Sequence, residues 1–152
     1  AIHPVRGAWR SLSDACQLRE ATTTPLALNE SVLEPPSAWK ILQAEAAEFL
    51  LPDTPQAGGI LPCIEIGQMC HAASVPCIMH CGHDLGPKTA AMVHVAASQP
   101  AYSLANDSTY YGLVDDVLSD PLPILNGRIS VPTVPGLGAD CDTAKLERFK
   151  MP

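Results

Sequence analysis

Positive charge and aromatic rings are both scarce in this chain. Its 152 residues carry 9 Lys and Arg against 16 Asp and Glu, a formal net charge of −7. That balance argues against nucleic acid or an anionic membrane surface as the main partner. Two Trp, three Tyr and two Phe, with no basic patch between them, give bases nothing to stack on. No uninterrupted apolar run approaches the ~20 residues that cross a bilayer. Ala1 to Arg10 has two arginines and no apolar centre, unlike a signal peptide. Cysteine pairs at metal spacing are missing too. Cys16, Cys63, Cys70, Cys77, Cys81 and Cys141 contain no Cys-x-x-Cys, so zinc and disulfides are not expected, and a reducing compartment, by default the cytoplasm, is.

What is present is enough apolar material, 47 % of residues, for one domain with one core. The pattern along the chain alternates short apolar runs with helical stretches. Ile2 to Val5 reads as the end of a strand, and Ser13 to Thr22 as a helix that Ser13 caps, with Ala15, Cys16 and Leu18 inward. Leu26 to Val32 reads as a buried strand. A helix follows from Ala38 to Ala47 with Trp39, Ile41, Leu42 and Ala46 towards the core. Glu48 to Pro52 is the next strand, and Ala57-Gly58-Gly59 opens a helix over 60–73. The paired glycines suit close backbone approach or an anion at the helix start. Val75 to Met79 is a third strand and Pro87 to Ser98 a helix with proline in its first turn. Ala101 to Ala105 is a weaker fourth strand. Leu122 to Val131 reads as a hairpin turning at Asn126-Gly127, and Asp142 to Phe149 as a short helix.

A repeated β-α order with short connections predicts a parallel sheet with right-handed crossovers. Polar residues gather at the strand ends: Asn29 and Glu30, Asp53, His80, then Asn106 and Asp107. In such folds the strand C-termini form one face, where chemistry is done. The fold expected is therefore α/β, a partial (β/α)8 TIM-type barrel of about half the usual strands, with a C-terminal β-hairpin tail. Residues 1–120 would form the half-barrel and residues 121–152 the tail. Asp53 and His80 should meet at the tips of adjacent strands. An aspartate on one ring nitrogen fixes the tautomer and makes the other nitrogen a working acid/base.

Four segments in order resemble the enolase superfamily, in its mandelate racemase/muconate lactonizing enzyme branch. Thr24-Pro25-Leu26-Ala27-Leu28-Asn29-Glu30 looks like the fifth barrel strand. Pro52-Asp53 with Gly58-Gly59-Ile60 looks like the sixth, and Val75-Pro76-Cys77-Ile78-Met79-His80 like the seventh. Asn126-Gly127-Arg128-Ile129-Ser130-Val131-Pro132 with Pro135-Gly136-Leu137-Gly138 looks like the C-terminal segment that returns to a capping domain. The resemblance implies Mg²⁺-dependent proton abstraction α to a carboxylate, by an acid-sugar dehydratase or racemase acting on a small carboxylate. It implies that His80 is the base or acid, Asp53 its orienting partner, and Glu30 a Mg²⁺ ligand. Asp84 would be an acid bonded to the substrate carboxylate or enediolate, needing to be protonated, with His83 and Asn29 as substrate contacts.

The family also takes metal ligands from strands three and four. Strand four's glutamate would fall near Ile2, with His3 beside it, so one carboxylate remains, and Mg²⁺ prefers about six oxygens. The alternative expectation is a truncated, inactive half-barrel acting as a structural unit, its open edges at Leu26–Glu30 and Ala101–Ala105 favouring a homo-oligomer. His94 and His71 are read as structural, Lys88 as solvated, and Cys77 and Cys81 as packing.

Overall fold

A computed structural model describes residues 11–150. The expectations placed on Ile2, His3 and the strand end at 2–5 lie outside the described residues. In order, the elements are α1 (Leu12–Ala21), β1 (Ala27–Leu28), α2 (Pro35–Gln43), β2 (Phe49–Leu50), α3 (Thr54–Ala57), α4 (Ile60–Ala72) and α5 (Gly86–Ser98). A 3-10 turn (Tyr110–Gly112), β3 (Ile124–Leu125), β4 (Arg128–Ile129) and α6 (Thr143–Phe149) complete them. Among the described residues, no helix is long and apolar enough to cross a membrane.

The parallel order holds, with shorter strands than expected. β1 and β2 pair in parallel, Ala27 with Phe49 and Leu28 with Leu50. The run 76–80 lies along the other side of β2. Leu50 N donates to Pro76 O at 3.3 Å, Ile78 N to Leu50 O at 3.0 Å and His80 N to Pro52 O at 3.0 Å. Only a single bridge, Leu50 with Cys77, forms there. Pro52 and Pro76 explain the brevity, since neither has an amide to donate to a ladder. The expected fourth strand at 101–105 is not a regular strand: Leu104 swings out to solvent. Its ends still follow 77–79. Cys77 N donates to Ala101 O at 2.8 Å and Asp107 N to Met79 O at 3.1 Å. Between them the Asn106 side-chain oxygen accepts from Met79 N at 2.8 Å, where a backbone carbonyl would serve in a ladder.

The helices differ at their starts, and α2 also ends at Gln43, four residues before the expected Ala47. α1 begins at Leu12, because Ser11 rather than Ser13 caps it, accepting from Asp14 N. α2 begins at Pro35, not Ala38: two prolines suit a first turn, and the Glu34 amide donates to Ser37 Oγ at 3.0 Å. α2 turns Ala38 and Ile41 inward and leaves Trp39 about half exposed, against its expected place in the core. Leu26, Leu28, Val32, Ile41, Leu50, Ile66, Met79 and Val95 form the main core between strands and helices. α1 is tied to the strands by Glu48, whose Oε1 accepts from Arg19 Nε at 2.6 Å and Oε2 from Leu26 N at 2.7 Å. Burial opposes ionisation of Glu48, but those two donors outweigh it and hold its carboxyl below the usual glutamate value.

The segment after α5 makes its own small cluster of Tyr110, Leu118 and Leu122 against Ala90 of α5. Asp116, buried, knots it to the start of α5. Its Oδ1 accepts from Gly86 N at 3.0 Å and Val117 N at 2.7 Å, and its Oδ2 from Tyr110 Oη at 2.9 Å. Tyr110 Oη in turn accepts from Leu122 N at 3.1 Å. A Cβ at Gly86 would run into Asp116 and Leu118, so only glycine lets the helix start this close. The hairpin of β3 and β4 turns as expected at Asn126 and Gly127, both with positive φ, as a two-residue turn requires.

Candidate active site

The site lies where the β2 and 76–80 runs end. Chain geometry puts Asp53 and His80 there: His80 N is bonded to Pro52 O, one residue before Asp53. Asp53 is also the residue before α3. Its carbonyl accepts from Ala57 N at 2.8 Å, while its side chain caps nothing. The carboxylate is therefore available to the neighbouring run. His80 Nδ1 lies 3.2 Å from Asp53 Oδ2, within hydrogen-bond reach. Gly58 and Gly59, at φ 93° and 122°, make the turn from α3 into α4. The paired glycines thus meet a backbone requirement.

Lys88, expected to be solvated, is instead largely covered and sits inside the site. Its Nζ is 2.7 Å from Asp53 Oδ1 and ion-paired with Asp84 Oδ2. The two oxygens of Asp53 are thus divided, one to lysine and one to histidine. Burial disfavours charge on both partners, but the hydrogen bonds win. His80 and Lys88 hold Asp53 below the ordinary aspartate value, and Asp53 and Asp84 hold Lys88 above the ordinary lysine value.

The remaining candidates are distributed unevenly. Asp84 does not touch His80; it accepts from Gly82 N at 2.7 Å and pairs with Lys88, acting as an acceptor. His83 is exposed in the same loop and makes none of the polar contacts of the pair. Asn29, 1 % exposed, donates from Nδ2 to Leu51 O at 2.8 Å and ties β1 to the end of β2, leaving its Oδ1 without a hydrogen-bond partner among the described residues. Glu30 follows it at the tip of β1, the strand paired with β2. Asp107 arrives from the 101–107 segment, its Oδ2 4.0 Å from His80 Nε2. The sequence marked Asp107 only as one of several polar strand tips. For Lys88, a signal existed: Asp84 and Lys88 are four apart across the start of a helix, a spacing that pairs side chains. His94 is structural as expected, its Nε2 3.1 Å from Leu137 O.

Mg²⁺ needs more than these residues offer. Among the described residues, no three His, Cys, Asp or Glu side chains converge closely enough to hold a metal ion. Glu30 alone supplies too few of the oxygens that a hard cation prefers. The described residues do not by themselves fit a resident Mg²⁺.

The model of the family described as enolase C-terminal domain-like matches residues 4–145. The chain belongs to that family. Among curated relatives, a Streptomyces coelicolor protein named "Probable glucarate dehydratase" is 33 % identical over 82 % of the chain and 29 % of its own length. The L-Ala-D/L-Glu epimerase of Bacillus subtilis is 30 % identical over 80 % of the chain and 33 % of its own length. The chain thus spans about a third of the length of these curated relatives. Among solved structures, a Pseudomonas fluorescens enolase with bound magnesium, potassium and tartrate superposes at a TM-score of 0.82, with 27 % identity, over 93 % of this chain and 34 % of that one. The chain is an α/β member of the enolase superfamily, related to TIM-barrel proteins, and its described strands are the short parallel pair β1–β2 and the antiparallel hairpin β3–β4.

Proposed function

We propose that Asp53 and His80 are the proton-transfer element of a site acting on the carbon α to a carboxylate, in an acid-sugar dehydratase or racemase. The observation that carries this reading is the 3.2 Å approach of His80 Nδ1 to Asp53 Oδ2 at the ends of adjacent parallel runs. With Nδ1–H donating to the carboxylate, Nε2 is the nitrogen that exchanges a proton. As base it takes the α-proton, and Asp53 stabilises the imidazolium that results. For dehydration the imidazolium then passes the proton to a hydroxyl leaving from the next carbon as water; for inversion a second group protonates the carbon from the opposite face and the imidazolium releases its proton to solvent. Relatives named as dehydratase and epimerase support both outcomes.

A divalent cation, when bound, would supply countercharge to the enediolate that forms. Glu30 would contribute one oxygen to such a site. The division into a half-barrel over 1–120 and a tail over 121–152 that packs on a further domain is part of the same proposal.

Inversion at carbon takes a second group on the opposite face, whereas exchange of the α-proton with solvent takes only one. Exchange is therefore the test. The protein carrying this chain, incubated in D₂O with Mg²⁺ and a panel of acid sugars, should place deuterium at the α-carbon of at least one, read by proton NMR. No exchange and no turnover across the panel would favour the alternative, an inactive structural unit.

A further inference from the structure

Lys88 stands third in α5, its amide bonded to Leu85 O at 3.1 Å and its chain held by Pro87 in the first turn. Its ammonium bridges Asp53 and Asp84 with only 13 % of the side chain exposed. A carboxylate turns freely about its last bond unless an oxygen is pinned. The ion pair of Lys88 with Oδ1 leaves Oδ2 turned to His80.

The charged and titratable groups facing this centre come from every side. Asp53 precedes α3, Asp84 precedes α5, Asp107 comes from the 101–107 segment, and the Cys63 thiol comes from α4. α3 itself, Thr-Pro-Gln-Ala, has no titratable side chain. Burial, with the Asp53 charge, pushes the Cys63 thiol up to about 11, so it stays neutral over the working range. Lys88 is thus the one lasting cation against the pair among the described residues. A fixed positive charge next to Asp53 opposes a second one on the imidazole.

We propose that Lys88 is a positioning residue that aims the Asp53 carboxylate at His80 and offsets part of its negative charge. The proposal rests on the reading of Asp53 and His80 as the proton-transfer element, but its test does not need turnover. The His80 ring is titrated by NMR in the folded protein, its signals assigned by their loss in His80→Asn. In Lys88→Met the His80 midpoint should rise by about one pH unit, as expected when a cation within ~4–6 Å is removed. Lys88→Arg should restore most of the original value. Asp84→Asn should move the midpoint the other way, because it leaves the lysine charge less compensated. Where turnover is measurable, the acid limb of kcat/KM should move with the NMR midpoint. An unmoved midpoint in folded Lys88→Met overturns the proposal. Should Lys88→Met not fold, an unmoved midpoint in Asp84→Asn does the same. Shifted midpoints without any α-proton exchange would uphold the role of Lys88 and overturn the proposed activity instead.

Discussion

His80→Asn should slow α-proton exchange by a factor of about 10² to 10⁴, the range over which a positioned acid/base acts. Asparagine can still donate to Asp53 but neither takes up nor releases a proton near neutral pH. The backbone bond from residue 80 to Pro52 O remains, and the ion pair of Asp53 with Lys88 does not depend on the ring. The fold should therefore survive, and an unchanged far-UV circular dichroism spectrum with lost exchange is the expected combination. Exchange within threefold of the parent protein would remove His80 from the chemistry. Asp53→Asn should lie between, because the ring keeps its nitrogen but loses the anion that stabilises its charged form.

The largest expected effect on stability is at Asp116. Asp116→Ala takes the acceptor away from Gly86 N, Val117 N and Tyr110 Oη at once. Each buried donor left without a partner costs about 1–3 kcal/mol, and three in one network do not simply add. A loss of about 3 kcal/mol is expected, on the order of 10 °C in Tm for a chain this size. Asp116→Asn keeps an oxygen for the two amides and should cost about 1 kcal/mol. Equal Tm values for Asp116→Ala and the parent would mean the knot contributes nothing. Gly86 is two residues from Lys88, so the same variant should also broaden the His80 ring signals.

The parts legible in the sequence were those set by local rules. Alternation of apolar runs and helices, the Asn126-Gly127 turn and Pro87 in a first turn each have a short-range cause, and each appears where expected. The meeting of Asp53 with His80 was legible because parallel strands align their C-terminal tips. Trp39 and Ile41 are two residues apart, about 200° round a helix of 3.6 residues per turn, so both cannot face the core, and burying Ile41 with Ala38 turns Trp39 outward. The 101–105 run looked like a strand from its side chains alone. What replaced the ladder there, a side-chain amide from Asn106, is a long-range substitution that no periodicity reports. Lys88 was missed for a related reason. A lysine in a first helical turn is usually solvated, and only the tertiary approach of α5 to Asp53 makes it otherwise.

The sulfur atoms are unevenly guarded. Cys63, Cys70, Cys77 and Cys81 are sealed within the packing and Cys16 is partly covered, whereas Cys141 stands open beside its bridge to Leu118. Oxygen or a mild oxidant therefore reaches Cys141 first. A stock kept without reductant should accumulate covalent pairs joined through Cys141, with Asp53 and His80 unaltered in each half. Such pairs would run as dimers on a gel until thiol is added, and would be an artefact of storage.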